Sequence, residues 1–148
     1  MQNITLTDHR DPRFADAFMR YFAELGICVR DWSGLWNEMN RSGVSTLLRI
    51  CNGDTVGFIQ YEVSVSKSAF FEERIGFVRE LWVAPAARRG GHGEALLSLA
   101  EEACRAEGIG RILLTTDTAE AFYLRRGYCP RPDVSAANRL PVLEKRLI

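Results

Sequence analysis

Apolar and polar positions change their spacing several times along this chain of 148 residues, and each change marks an element. Residues 3–8 alternate, as a half-buried strand does. Asp11-Pro12 then offers a capping carboxylate and a proline for the first helical position. Phe14, Ala17, Phe18, Tyr21, Phe22 and Leu25 follow at three- and four-residue steps, up to Gly26, and predict an amphipathic helix. A weaker stripe of Leu35, Trp36 and Met39 predicts a second helix over 33–40, capped by Asp31 or Ser33 and ended by Ser42-Gly43. Strand-like runs over 46–51 and 55–66 flank Asn52-Gly53-Asp54, a tight-turn signal that predicts an antiparallel hairpin. Residues 67–74 read as a loop leading into a strand over 75–83, and so a second hairpin.

In the second half, Leu96, Leu97, Ala100, Ala103 and Cys104 form a helical stripe within 94–107, with Glu101, Glu102 and Arg105 on the opposite side. Ile112-Leu113-Leu114 is apolar at every position, as suits a strand buried on both faces. Strand, helix and strand with a crossover of over twenty residues imply parallel pairing and a right-handed connection. A short helix over 119–126 precedes Tyr128-Cys129, a strand start broken by Pro130 and Pro132. Residues 140–147 supply the last strand, with Pro141 acceptable only at its start or on an edge. The expected order is β α α β β β α β α β β, an α/β architecture with helices on the faces of a mixed sheet.

Composition narrows the functional classes. The length fits a single domain over residues 1–148. Lys plus Arg and Asp plus Glu both number 19, so no overall basic field argues for nucleic acid. No run of 18 apolar residues and no signal pattern occur, which predicts a protein off the membrane and in the cytoplasm. The four cysteines, at 28, 51, 104 and 129, form no C-x-x-C pair. With only His9 and His92 to join them, no metal site is expected. Inert thiols in a reducing compartment are the expectation.

Between the strand ending Leu81-Trp82-Val83-Ala84-Pro85 and the helix lies Arg88-Arg89-Gly90-Gly91-His92-Gly93-Glu94. Glycines let a backbone come close to a ligand, a helix start presents unpaired N–H groups, and guanidinium forks suit phosphate. The stretch reads as a phosphate cradle. It is not a Walker loop, which needs G-x-x-x-x-G-K-[ST], and a dinucleotide fingerprint would want glycine or alanine where Leu96 stands.

Arg88-x-x-Gly91-x-Gly93 resembles the acetyl-CoA signature Q/R-x-x-G-x-G/A of the GCN5-related N-acetyltransferase (GNAT) family. Residues 121–128, with Phe122-Tyr123, Gly127 and Tyr128, resemble that family's second motif, F-Y-x-x-x-G-F/Y. The resemblance implies a mixed, mostly antiparallel sheet of six to seven strands with a central parallel βαβ crossover and about four helices. It also implies an N-acetyltransferase that uses acetyl-CoA as co-substrate, without a metal, and transfers acetyl by direct attack to a primary amine of a small molecule or peptide.

On that resemblance, backbone N–H groups of Arg89, Gly90, Gly91, His92, Gly93 and Glu94 face the pyrophosphate, with Arg88 forming the loop or meeting phosphate. The pantetheine arm pairs with strand backbone at Leu81 and Val83, and an N–H of Trp82 or Val83 polarises the thioester carbonyl. Many relatives hold the arm with an asparagine at position 116, where this chain has Thr116. Tyr123 is the candidate acid for the departing thiolate, since a phenol near pKa ~10 can protonate a thiolate whose acid lies near ~8.5. Glu80 is the first candidate base; relatives place theirs at differing points along this strand, and Glu62 or water are the alternatives. His92 reads as a solvated loop residue and Glu94 as pointing outward.

The resemblance places the acceptor site around residues 25–45 and 66–74. There Trp32, Trp36, Phe70 and Phe71 with Glu38, Glu72 and Glu73 suit a cationic amine. The same residues also read as core, hairpin tip or a homodimer edge. A second class of function stays open: an acyl-CoA-binding sensor or assembly subunit with weak turnover.

Overall fold

A computed structural model describes all residues 1–148. Seven strands form one sheet in the order β1-β2-β3-β4-β5-β7-β6. They are β1 (Gln2–Thr5), β2 (Ser45–Cys51), β3 (Asp54–Lys67), β4 (Glu72–Val83), β5 (Arg111–Thr115), β6 (Cys129–Pro130) and β7 (Val142–Arg146). The helices are α1 (Pro12–Leu25), α2 (Trp32–Ser42), α3 (His92–Ala106) and α4 (Glu120–Leu124), with a 3-10 turn at Pro85–Ala87. β4 and β5 are parallel, through Gly76↔Ile112 and Phe77↔Leu113, and every other registered pair is antiparallel. This is the mixed sheet with a parallel β4-α3-β5 crossover that the sequence predicts. No helix is long and apolar enough to cross a membrane.

The chain groups into two compact units, one of residues 1–61 with 80–100, the other of 62–79 with 101–148. In the first, Asp11 caps α1 by accepting from the Arg13 N–H, and Gly26 closes it at φ 72°. Asp31, rather than Ser33, caps α2 by accepting from the Gly34 N–H. Asn52 and Gly53 both take positive φ (52° and 83°), as a primed hairpin turn requires between β2 and β3. The core of this unit is aromatic. Phe14 and Phe18 of α1 pack on Phe58 at 5.3 and 5.7 Å between ring centroids, and Trp36 of α2 joins them at 5.7 Å from each. Trp36 is thus core, only 6% exposed, and unavailable to an acceptor. A buried polar chain is also satisfied here: Gln60 donates to the Thr46 hydroxyl at 3.2 Å, and His9 Nε2 lies 2.8 Å from the same oxygen.

Neighbouring strand residues face opposite sides. Phe58 therefore turns toward α1, while Gly57 turns toward α3. A methyl added at Gly57 would stand 2.7 Å from the Trp82 carbonyl oxygen and 3.2 Å from the Leu96 side chain. The absent side chain is what lets β3, β4 and α3 close up at this point.

In the second unit, β4 begins at Glu72, three residues before the predicted start. The reason is a tight turn in which the Ser68 N–H donates to the Phe71 carbonyl, leaving 72–74 free to pair as strand. Phe70 and Phe71 are exposed at that tip (90% and 79%), and Glu73 is engaged by Arg111 at 2.9 Å. The structure also corrects Glu101, predicted on the solvent side of α3. It is buried, and accepts from the Tyr128 hydroxyl at 2.8 Å and from Lys145 at 3.0 Å. Position 101 follows Leu97 by four residues, which carries it toward the interior. Burial, followed by the Glu101 charge, pushes the Tyr128 phenol far above its ordinary value. Cys104 is fully buried, and desolvation raises its thiol pKa.

Two stability predictions follow from these contacts. Gly57→Ala should lose about 1–3 kcal/mol in urea unfolding, because the obstructing atom is backbone and cannot rotate away. Tyr128→Phe should cost about 1–3 kcal/mol by removing a donor from a buried carboxylate.

Candidate active site

The head of α3 differs from the heads of α1 and α2. Its first intrahelical bond runs from the Ala95 N–H to the Gly91 carbonyl at 3.1 Å, so Gly91 stands at the capping position, at φ 81°. Where Asp11 and Asp31 cover amides of their helices with a carboxylate, Gly91 has no side chain to do so. The amides of His92, Gly93 and Glu94 lie ahead of that first bond, and such groups together with the helix dipole favour an anion. His92 and Gly93 are thus in the first helical turn, two residues earlier than the sequence predicts.

Arginines stand near this helix start, and Glu94 adds a carboxylate to its first turn. Arg89 is exposed and holds the left-handed conformation at φ 68°, uncommon for a side-chain-bearing residue. Arg49 of β2 donates from Nε to His92 Nδ1 at 2.9 Å. His92 is therefore not a solvated loop histidine. It accepts at Nδ1 and places a guanidinium beside the first turn. Glu94 is exposed, as expected.

Arg88 shapes the approach to this turn. Its Nε donates to the Val83 carbonyl at 3.0 Å, and its Nη2 donates to Glu24 of α1 at 2.7 and 2.9 Å. Glu24 also accepts from Trp82 Nε1 at 2.9 Å, so one carboxylate ties the end of β4 and the start of the loop to α1. These bonds, Trp82 first and Arg88 second, hold the Glu24 carboxyl below its ordinary value. Arg88 thereby serves the loop's shape. One lone pair of the Val83 carbonyl is already in use.

Along β4, Trp82 is buried with its ring 5.8 Å from Phe58, on the α1 side of the strand. Glu80, two residues earlier, shares that side, and the Tyr21 hydroxyl donates to its Oε2. Leu81 and Val83 are half-buried and face the other way. An open cleft of about 640 Å³, lined by Arg13, Asp16, Arg20 and Asn52 among others, contains none of the predicted residues.

In the second unit, Tyr123 of α4 is 7% exposed, with its ring 5.0 Å from Phe122 and 5.6 Å from Tyr128. The Thr116 hydroxyl accepts from the Ala119 N–H at 3.0 Å and so helps to start α4. Glu62, the second candidate base, is ion-paired with Arg79 at 3.2 Å. Of the acceptor candidates, Glu72 and Glu38 are exposed and Trp32 is half-buried, its ring stacked 5.2 Å from Trp36.

Sequence reasoning missed Tyr21, Glu24 and Arg49. By spacing, Tyr21 belongs to the apolar stripe of α1. Its hydroxyl was the available signal, because a buried tyrosine needs a partner for that group.

Gly91 thus heads α3, the helix of the β4-α3-β5 crossover, and the guanidinium of Arg49 is held beside its first turn by His92. The profile of the Acetyltransferase (GNAT) family matches residues 4–128, and the chain belongs to that family. That family is one of acetyltransferases. Among solved structures, an aminoglycoside 6'-N-acetyltransferase complexed with coenzyme A is similar at 17% identity and TM-score 0.74, over 100% of this chain and 98% of that one. The PaiA N-acetyltransferase from Thermoplasma acidophilum, in complex with coenzyme A, is similar at 18% identity and TM-score 0.66, over 99% of both chains. N-acetylglutamate synthase from Neisseria gonorrhoeae, complexed with coenzyme A and N-acetyl-glutamate, aligns at 22% identity and TM-score 0.67. That alignment takes in 100% of this chain, which spans 36% of the synthase. No curated protein sequence matches the chain.

The Glu24 junction yields a pH prediction. A carboxyl whose folded pKa is depressed adds stability above its unfolded value, and that stability is lost as pH falls through the lower folded value. Glu24→Gln should therefore unfold at lower urea than the parent at pH 7. The two midpoints should converge as the pH drops below about 4.

Proposed function

We propose that the protein transfers the acetyl group of acetyl-CoA to a primary amine of a small molecule or peptide, with residues 1–148 working as one acyltransferase domain. The observation that carries the reading is the start of α3 at Gly91, a capping residue with no side chain, with Arg49 and Arg89 near it. Amides from Arg89 to Glu94 would hold the pyrophosphate. The pantetheine arm would lie along β4 at Leu81 and Val83, with Thr116 as a further contact and an N–H of Trp82 or Val83 polarising the thioester carbonyl.

Glu80 is assigned as the base. Glu62 is held by Arg79, and Glu80 accepts from the Tyr21 hydroxyl on the α1 side of β4. Glu80, directly or through a water, removes the ammonium proton of the acceptor. The amine nitrogen then attacks the thioester carbon, the C–S bond breaks, and the thiolate takes the phenolic proton of Tyr123; the second proton of the acylated nitrogen leaves to water, from which the Tyr123 phenolate is reprotonated. The family's coenzyme A complexes support this reading on the donor side. The aminoglycoside 6'-N-acetyltransferase and the N-acetylglutamate synthase with its bound N-acetyl-glutamate fit an amine acceptor.

Thermal unfolding with and without acetyl-CoA tests the donor. At a hundred times its dissociation constant the ligand should add about 2.7 kcal/mol, and an unmoved midpoint at millimolar acetyl-CoA would overturn the reading. Thiol release over a panel of primary amines tests the transfer. Tyr123→Phe should lower kcat by about 10²-fold or more while the acetyl-CoA shift persists, and unchanged turnover would remove Tyr123 from the reaction.

A further inference from the structure

α1 is more than a lid over the aromatic core. We infer that Tyr21 is a positioning residue for the base, aiming the Glu80 carboxylate and holding it charged for proton removal. This rests on the proposed reading of Glu80 as the base.

The first support is mechanical. The Tyr21 ring is gripped by four others, with centroids 5.8 Å from Phe18, 5.7 Å from Phe22, 5.8 Å from Phe58 and 6.3 Å from Trp82. These come from α1 itself, β3 and β4, so the ring cannot turn without disturbing the core of its unit. Its hydroxyl is thus a fixed point, and it donates to Glu80 Oε2. A glutamate side chain on a strand can otherwise sample several rotamers. Bonding to a fixed donor selects the one that keeps the carboxylate on the α1 side of β4.

The second support is electrostatic. A hydrogen bond donated to a carboxylate favours its charged form, and the charged form is the one that accepts a proton. Tyr21 does this without neutralising the charge, as an arginine would. Three other charged groups belong to this part of the first unit and its border, and each has a contact of its own. Arg20 lies over the Trp82 ring at 5.3 Å, Glu24 is bonded to Arg88 and Trp82, and Arg79 is paired with Glu62. A phenol is also a weak acid, so it stays a donor across the pH range in which a carboxylate base works.

Two measurements on the full chain test this, using Tyr21→Phe, which keeps the packed ring. The first needs no acceptor. In protein labelled with 13C at the glutamate carboxyl, the Glu80 resonance is assigned as the one missing in Glu80→Gln. Tyr21→Phe should raise its titration midpoint by about half a unit or more. An unmoved midpoint overturns the inference. The second is kinetic, with the fastest amine of the panel. Tyr21→Phe should lower kcat roughly tenfold, move the acidic limb of the rate profile to higher pH, and leave the acetyl-CoA KM within about twofold. On a Glu80→Gln background it should cost nothing further. Equal losses on both backgrounds would show that Tyr21 acts without Glu80 and overturn the inference, with the base reading intact. Full turnover in Glu80→Gln would instead remove Glu80 as the base, and Tyr21's role with it.

Discussion

The packing of α1 on the aromatic face of β3 and β4 is the constraint on which the first unit depends. Phe14 and Phe18 meet Phe58, and Tyr21 meets Trp82. Such contacts contribute by burial and by ring geometry, and they also fix the helix in rotation about its axis. With α1 so fixed, its later turns have no choice of partner. Tyr21 faces Glu80 and Glu24 faces Trp82 and Arg88, so one hydrophobic interface sets two polar junctions at the end of β4.

The same economy governs the start of α3. A phosphate site needs donors that are oriented in advance and not already satisfied. Gly91 takes a left-handed φ at the head of α3 and has no side chain with which to cap its amides. Arg88, although first in the signature, spends its guanidinium on Val83 and Glu24. The nearby positive charge instead comes from Arg89, with its unusual backbone, and from Arg49, held by His92.

Much of the fold was legible because its signals are local. Asp11-Pro12 and Gly26 bound α1, Asn52-Gly53 makes the β2–β3 turn, and the run at Ile112 marks β5. The glycine-rich turn ahead of α3 was legible for the same reason. What escaped depends on contacts between residues far apart in the chain. Glu101 looked like a solvated helix charge, yet Tyr128 and Lys145, 27 and 44 residues away, make its burial tolerable. His92 looked free until β2 brought Arg49 to it. Tyr21 and Glu80 are separated by 59 residues, and no spacing rule within either segment links them. The aromatic and acidic acceptor candidates were legible only as residue types: Trp36 went to the core and Glu73 to Arg111.

One edge of the sheet is formed by β6, two residues long, one of them Pro130. An exposed edge ordinarily offers a row of unpaired N–H and C=O groups on which another chain can nucleate a strand. Here a stray strand would find almost no ladder to extend, because one residue lacks an N–H and the strand ends after it. At that border the sequence guards against uncontrolled sheet growth, and does so with a single ring.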